Sequence, residues 1–162
     1  MIRYNFCVKT LPQPDYHSLA EVRYQIRRFL HFSEQAARQA RLEPRQHQFL
    51  LALKGLPAKL RPNVGALAER LQIRPHSTVE LANRLAKRGL VRRRREGNDP
   101  NKDRREVLLD ITVKGEEVLR ELSLHHREEL RTAGPALIAA LQSVLETRKT
   151  RQDLSRQGRP KT

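Results

Sequence analysis

This sequence of 162 residues has one cysteine, no tryptophan and only 4% aromatic residues. A single cysteine, Cys7, excludes an intramolecular disulfide. The few aromatic side chains argue against a large aromatic-lined pocket or a series of base-stacking platforms. No apolar run approaches the ~18 residues of a membrane span, and the N-terminus has no apolar core long enough for a secretory signal. We therefore predict a cytoplasmic protein with no membrane partner.

The signatures of common enzyme classes are also missing. We find no nucleophile elbow, P-loop, glycine-rich dinucleotide turn or CxxC pair. The acidic residues are scattered among arginines and do not form the clusters that a Mg²⁺-dependent nuclease needs. The sequence therefore predicts a protein that is not an enzyme, with no catalytic residues, no cofactor and no metal site.

What the sequence has in excess is positive charge. Its 33 Lys and Arg against 18 Asp and Glu give a formal net charge of +15. This balance predicts a polyanionic partner, nucleic acid first and an anionic membrane surface second. Ten basic and three acidic residues lie in the 22 positions from Arg84 to Arg105, and Arg92 to Arg95 form an unbroken run. The partner is therefore expected to contact this segment.

Most of the chain has the apolar spacing of helices. Apolar residues at steps of three and four predict a long first helix over residues 16–41, after an N-terminal arm over residues 1–15. Such a long helix in a small domain often packs on another subunit. Pro44 is expected to open a second helix, which ends at Gly55 and Pro57.

Two short helices joined by a turn come next. Asn63 is expected to cap the first, which ends at Leu71. Pro75 is expected to begin the second, and Gly89 to end it. At ~100° per residue the second helix has a packing face and an opposite face. The packing face holds Thr78, Leu81, Ala82 and Leu85. The opposite face holds His76, Glu80, Asn83, Arg84 and Lys87, with Ser77 on its flank.

The outward residues of this second helix are of types that read DNA bases. Arginine bonds guanine, asparagine bonds adenine, and a carboxylate can accept from cytosine. An ordinary solvated helix face could carry the same residues. The preceding helix and turn, together with the basic segment that follows, favour a helix-turn-helix that binds DNA.

A charged hairpin is predicted after this helix pair. Leu90-Val91 begins one strand, and residues 106–111 read as its partner by period two. The polar loop over residues 97–105 is long for a tight turn and suits a wing that reaches a DNA groove. From this hairpin we predict that Arg93, Lys102 and Arg104 contact DNA.

Acidic residues in the same loop are expected to act indirectly. Asp99 and Asp103 should not face phosphate. They are better placed to orient Arg104 and Arg105 by ion pairs, which would stiffen the tip of the wing.

The last part of the chain is again helical. Thr112 is expected to cap a helix that runs to about Thr132. Gly134-Pro135 is expected to break it before a short last helix over residues 136–145. The polar, basic residues 146–162 are predicted to form a disordered tail.

With these residues in view, the chain resembles the MarR family of winged-helix transcription regulators. DPNKDRREVLLDITVKGEEVL is similar to the family's wing: Asp, a short spacer, Asp-Arg-Arg, an apolar strand, then Leu-Thr-x-x-Gly. HSTVELANRLAKRGLVRR is similar to its recognition helix and the strand that follows. Ile111 stands where the family usually has Leu. The matching positions are Asp99, Asp103, Arg104, Arg105, Thr112 and Gly115.

The resemblance implies a mostly α-helical fold with a small β-wing. It places a winged helix-turn-helix over about residues 44–111 in a domain over 16–145, with dimerisation helices over 16–41 and 113–145. It also implies a homodimer on double-stranded DNA, with recognition helices in successive major grooves roughly 34 Å apart. The family consists mostly of repressors that bind a specific operator.

The resemblance also implies a small-molecule effector, often phenolic or lipophilic, that binds between the dimerisation helices and the DNA-binding lobes. A ligand that prefers a different lobe spacing would weaken DNA binding. Nothing in the first and last helices marks a pocket, so the ligand stays open. The operator, the regulated genes and the sign of regulation are open as well.

Three alternatives remain. An architectural, nucleoid-type protein would bind DNA by charge with little sequence preference, and the charge is higher than expected for the family. Cys7 could sense oxidants, although it lies in the arm and a passive thiol is the simpler interpretation. His125 and His126 could take part in metal sensing, but His125 and Glu129, four residues apart, supply only two ligands.

Overall fold

The computed structural model describes residues 12–96 and 106–157, with side chains over residues 12–95 and 107–146. No helix in this described part is long and apolar enough to cross a membrane. The elements are α1 (Gln13–Gln39), α2 (Pro44–Lys54), α3 (Val64–Leu71), α4 (Pro75–Lys87), β1 (Val91–Glu96), β2 (Glu106–Ile111) and α5 (Val113–Gln157). They confirm the predicted mostly helical fold with a two-stranded wing.

Contacts divide the chain into two units. The central lobe comprises residues 32–127, and the terminal unit comprises the parts of α1 and α5 outside that range. The core of the central lobe is formed by α2, α3 and α4, where Phe49, Leu50, Leu67 and Leu85 are fully buried. Burying one such side chain contributes roughly 1.5–3 kcal/mol. The start of α5 adds further leucines to the same core.

Local signals set the ends of the two helices in the helix-turn-helix. The Asn63 side chain accepts a hydrogen bond from the Ala66 amide at 2.9 Å, which caps α3 as predicted. Gln72 adopts a left-handed conformation (φ 53°) after α3. Pro75 occupies the first turn of α4, and Gly89 (φ 70°) follows that helix. Glycine suits this backbone because a Cβ is disfavoured at positive φ.

The wing is an antiparallel pair of strands in which Val91 pairs with Ile111 and Arg93 pairs with Leu109. The other edge of β2 is covered by the segment before α3. There the Leu109 amide donates to the Pro62 carbonyl at 2.8 Å, and Asn63 forms an isolated bridge with Leu108. The base of the wing is therefore fixed to the helical core.

Thr112 and Gly115 fasten the start of α5 to the end of α4. The Thr112 hydroxyl donates to the Gly89 carbonyl at 2.7 Å and accepts from the Gly115 amide at 3.1 Å, so Thr112 caps α5 as predicted. A Cβ placed on Gly115 would lie 2.2 Å from the Leu90 carbonyl oxygen. The Thr-x-x-Gly spacing thus has a steric reason, because only glycine permits this approach.

The predicted break at Gly134-Pro135 is wrong, because α5 is one helix with Pro135 inside it. A proline inside a helix lacks an N–H donor and clashes with the carbonyl four residues earlier, and its ring also crowds the N–H and Cβ of the residue before it. That residue is Gly134, which has no Cβ, and helix-favouring alanines and leucines follow. The backbone stays helical to Gln157, beyond the predicted end at residue 145 and into the segment predicted to be disordered.

The helices of the terminal unit make polar contacts with each other, and the unit exposes a large apolar surface. The hydroxyls of Ser18 and Ser143 lie 2.8 Å apart, and Arg28 lies 4.0 Å from Glu129. Its exposed large apolar residues include Tyr16, Leu19, Tyr24, Ile26, Leu30, Leu130, Ile138, Leu141 and Leu145. The terminal unit thus exposes more apolar side chains than the single, scattered ones that are normal on a protein surface.

Candidate nucleic-acid interface

The outer face of α4 has the arrangement that its period predicted. Its packing side is buried at Thr78, Leu81, Ala82 and Leu85. Thr78 is the one polar residue of this side, and its hydroxyl bonds the Arg74 carbonyl at 3.3 Å. The predicted DNA-contact residues of the opposite side, His76, Glu80, Asn83, Arg84 and Lys87, are exposed, and Ser77 is half-buried. The helix is thus held from one side and presents the other to solvent.

The four consecutive arginines of β1 are divided between the two faces of the strand. The Asp110 carboxylate accepts from Arg92 Nε at 3.3 Å and from Arg94 Nε at 3.4 Å. Arg93 points to the other face, where its Nη2 donates to the Asn83 side-chain oxygen on α4. In the sequence this run reads as one block of charge, and the role of Asp110 was not predicted. The period of two in a strand and the pairing of Arg92 with Asp110 are the signals that distinguish Arg92 and Arg94 from Arg93.

Arg88 has a structural role at the end of α4. Its guanidinium donates to the Gln46 side chain at 2.8 Å and to the Arg41 carbonyl at 2.7 Å. Its own carbonyl accepts from Lys114 Nζ at 3.2 Å. This arginine therefore connects α4 with the α1–α2 junction and with the start of α5. Arg88 belongs to the same positive segment as the predicted DNA contacts, but its guanidinium makes hydrogen bonds within the protein.

The tip of the wing lies outside the described residues. This part of the chain holds the predicted DNA contacts Lys102 and Arg104 and the predicted wing-orienting residues Asp99, Asp103 and Arg105. Their roles stay predictions. Cys7 also lies outside the described residues, so its redox role stays an untested alternative.

A buried pair of histidines lies away from the exposed face of α4. The rings of His47 and His126 stack with centroids 4.7 Å apart and planes at 14°. His126 Nε2 lies 2.7 Å from the Ser33 hydroxyl, and Nδ1 is hydrogen-bonded to the Leu122 carbonyl. Burial, and then the neighbouring His126, lower the pKa of His47 to about 4.

These contacts make His126 a packed core residue. Because both of its ring nitrogens are hydrogen-bonded, it offers no free ligand for a metal. Among the described residues there is no group of three His, Cys, Asp or Glu side chains placed to hold a metal ion.

A cavity of about 230 Å³ opens between α1 and α5 within the central lobe. Two glutamines, one glutamate and one histidine contribute its polar groups, and an aromatic ring contributes to its apolar wall. It is lined by Phe32, Gln35, Ala36, Gln39, Ala40, Glu121, Leu122 and His125. No sequence signal marked it, since its residues come from helices that are far apart in the chain.

The model of the MarR family matches residues 42–99, from the end of the first helix to the start of the wing loop. Over this segment, about a third of its length, the chain is similar to the MarR family. The matched segment contains all of α2, α3, α4 and β1, so the family signature coincides with the exposed recognition helix and the arginine strand. A search of curated proteins found no match.

Several solved structures have a similar fold, among them a MarR family transcriptional regulator, AbsC. The protein is similar to AbsC from Streptomyces coelicolor, at 18% identity over 93% of this chain and 97% of that one, with a TM-score of 0.66. It is similar to Rv1404 from Mycobacterium tuberculosis, at 22% identity over 85% and 97%, with a TM-score of 0.63. A MepR mutant from S. aureus, solved bound to an oligodeoxyribonucleotide, has 18% identity over 88% and 94% and a TM-score of 0.54.

Proposed function

We propose that this protein is a MarR-family homodimeric repressor that binds a specific operator in double-stranded DNA. The observation that carries this proposal is the outer face of α4. Its base-reading residue types are exposed together, while the opposite side is anchored in the core. A rigid helix with such a face is what direct readout in the major groove requires. The MepR mutant with a bound oligodeoxyribonucleotide supports the same use of this fold.

The exposed apolar surface of the terminal unit supports the dimer. Side chains such as Ile138 (56% exposed) and Leu145 (65% exposed) are costly to leave in water. A second copy of the chain would cover them. Two recognition helices related by a twofold axis would then read an inverted repeat with half-sites roughly 34 Å apart.

The cavity in the central lobe supports a small-molecule effector. A phenolic or lipophilic ligand would contact Phe32 and Leu122, and its polar group would meet Gln35 or Gln39. The ligand would release DNA only if it binds the DNA-free arrangement more tightly than the DNA-bound one. Such a compound should raise the Kd for operator DNA, and operator DNA should weaken its binding by the same factor.

The alternative is an architectural protein that binds DNA by charge. The net charge of +15 favours it. In the structure, however, Arg92 and Arg94 share the carboxylate of Asp110, and Arg88 is engaged inside the protein. The Asp110 carboxylate reduces the charge that the wing strand offers to phosphates, which favours the regulator. Arg88 keeps its charge because its partners are neutral, but its orientation is fixed within the protein.

The two functions are separated by selecting genomic fragments with the purified protein at ~150 mM salt, where weak charge contacts are screened. We expect a few fragments that share an inverted repeat. Fragments with no common motif would support the architectural function. A monomer at micromolar concentration by light scattering would contradict the dimer.

Arg84→Ala then tests the readout by α4. We expect this change to cost about 1–3 kcal/mol on the operator and to relax sequence preference at one position. Arg120→Ala, which removes an exposed arginine from α5, is the matched control. Equal losses on operator and random DNA for Arg84→Ala would remove it from the readout residues.

A further inference from the structure

A side-chain hydrogen bond joins α4, the proposed recognition helix, to the wing. The side-chain oxygen of Asn83 on α4 accepts from Nη2 of Arg93 on β1. The backbone at each residue is held by a buried neighbour. Asn83 follows the buried Ala82, and Arg93 is paired across the sheet with the buried Leu109. Both side chains are exposed, so the pair lies on the surface proposed to meet DNA.

This bond changes what Asn83 can do at a base. An asparagine that reads adenine uses its oxygen and its amide together, the oxygen accepting from N6 and the amide donating to N7. Here one of the two lone pairs of the oxygen accepts from Arg93, so a contact with adenine through both groups would have to share this oxygen with the guanidinium. An arginine, by contrast, has five donors, so Arg93 keeps donors for a base edge or a phosphate after one is used.

The partner of Arg93 also differs from that of its neighbours. Arg92 and Arg94 are held by the carboxylate of Asp110, which offsets positive charge. Asn83 is neutral, so it orients the guanidinium of Arg93 without reducing its charge. Arg95 shares the face of Arg93 by strand period, and among the side chains that the structure describes no bonded partner of Arg95 is found.

We propose that Asn83 is a positioning residue whose task is to aim Arg93 at the DNA, and that Arg93 makes the contact. This inference rests on the proposed function, because it assigns roles within the same DNA-binding surface. It reverses the expectation that Asn83 itself reads a base. It also means that recognition helix and wing strand act on DNA as one rigid group.

A double-mutant cycle on operator DNA tests the assignment. We expect Arg93→Ala to raise the Kd roughly 30-fold and Asn83→Ala roughly 10-fold, within the range for lost DNA contacts. The double variant should bind about as weakly as Arg93→Ala alone, because Asn83 acts through Arg93. If the two losses multiply, Asn83 contacts DNA independently and the proposal is overturned.

Arg95→Ala supplies the matched control, since it removes the same charge from the same face of the same strand. Combined with Asn83→Ala, its loss should multiply with that of Asn83. If Asn83→Ala causes no further loss of affinity in the Arg95→Ala background either, the coupling is a general charge effect, which also overturns the proposal.

A measurement without DNA keeps this proposal separate from the proposed function. In ¹⁵N NMR spectra of the free protein, we expect slow rotation of the Arg93 guanidinium in the wild type and fast rotation in Asn83→Ala. An unchanged Arg93 signal would overturn the proposal. If no operator is recovered, the same cycle on a random-sequence duplex at low salt still measures the coupling, while the failed selection counts against specific recognition alone.

Discussion

The central lobe and the terminal unit place their apolar residues in opposite ways. In the central lobe, Phe49 and Leu50 are 0% exposed, and their neighbours come from the same lobe. In the terminal unit, Ile138 is 56% exposed and Leu145 is 65% exposed. Much of the apolar surface of the central lobe is therefore packed within one chain, although Leu51, Val113 and Leu124 of this lobe are exposed. The terminal unit has an apolar surface that the proposed second copy would complete.

The largest expected effect compares one leucine from each region. Leu50→Ala should cost about 3–4 kcal/mol, because it opens a cavity in a filled core. Its effect on the thermal midpoint should not depend on protein concentration. Leu141→Ala should instead weaken the proposed dimer, so that the midpoint falls more at low concentration. Calorimetry at two concentrations measures both. A concentration-independent loss for Leu141→Ala would contradict the comparison.

The next effect uses the same substitution at two glycines. Gly115→Ala should cost about 3 kcal/mol, because the new Cβ would lie 2.2 Å from a backbone oxygen. Outside its chain neighbours, a Cβ on Gly134 meets nothing within 4 Å. Gly134→Ala should therefore cost less, because crowding against Pro135 is offset by the helix preference of alanine, up to ~1 kcal/mol. Urea denaturation of both variants gives the difference. If both glycines tolerate alanine equally, the close approach at Gly115 does not limit the fold.

A change of pH tests the buried histidine pair of the central lobe. The pKa of His47 is lowered from 6.5 to about 4 in the folded protein, so the unfolded chain binds more protons between these values. The stability from His47 is therefore complete above pH 6.5 and is lost as pH falls toward 4, at a cost of about 2 kcal/mol.

His47→Leu should flatten this pH dependence of the free energy of unfolding. His125→Gln is the control, because His125 is exposed and stands next to the packed His126 in the sequence. This variant should keep the wild-type dependence of the free energy of unfolding on pH. Urea denaturation at pH 7, 5.5 and 4.5 separates the two variants, and equal slopes would mean that His47 is not the group responsible.

The smallest expected effect concerns a single cap. Asn63→Ala should cost about 1 kcal/mol, because the Ala66 amide loses its 2.9 Å partner. Asn63→Ser restores an acceptor and should recover most of the loss. Recovery by serine would show that the cap, and not the nearby bridge to Leu108, accounts for the effect of Asn63.

The features that sequence analysis predicted are those fixed by near neighbours in the chain. The packing face of α4, including the polar Thr78, follows from helical period alone. The caps at Asn63 and Thr112 and the turn at Gly89 follow from side-chain and backbone chemistry within a few residues. The recognition helix of the candidate site was therefore predictable in both position and orientation.

The features that were missed depend on pairs distant in sequence or on context. The bond between Asn83 and Arg93 depends on how the wing strand lies against α4. His47 and His126 meet only because α2 and α5 pack in the central lobe. Pro135 was predicted to end the helix because proline generally breaks helices. That prediction left out Gly134, whose lack of a Cβ reduces the crowding by the proline ring. The roles of residues 97–105 stay predictions from the sequence.

The contacts of Arg88 have a consequence for the orientation of α4. Its side chain holds the carbonyl of Arg41, where the backbone is left-handed (φ 56°), and the amide oxygen of Gln46. Rotation of α4 about its own axis would break both bonds. The orientation of α4 in the central lobe is therefore fixed in part where α1 gives way to α2. In the proposed complex, Arg88 would help to fix the angle at which α4 meets a groove.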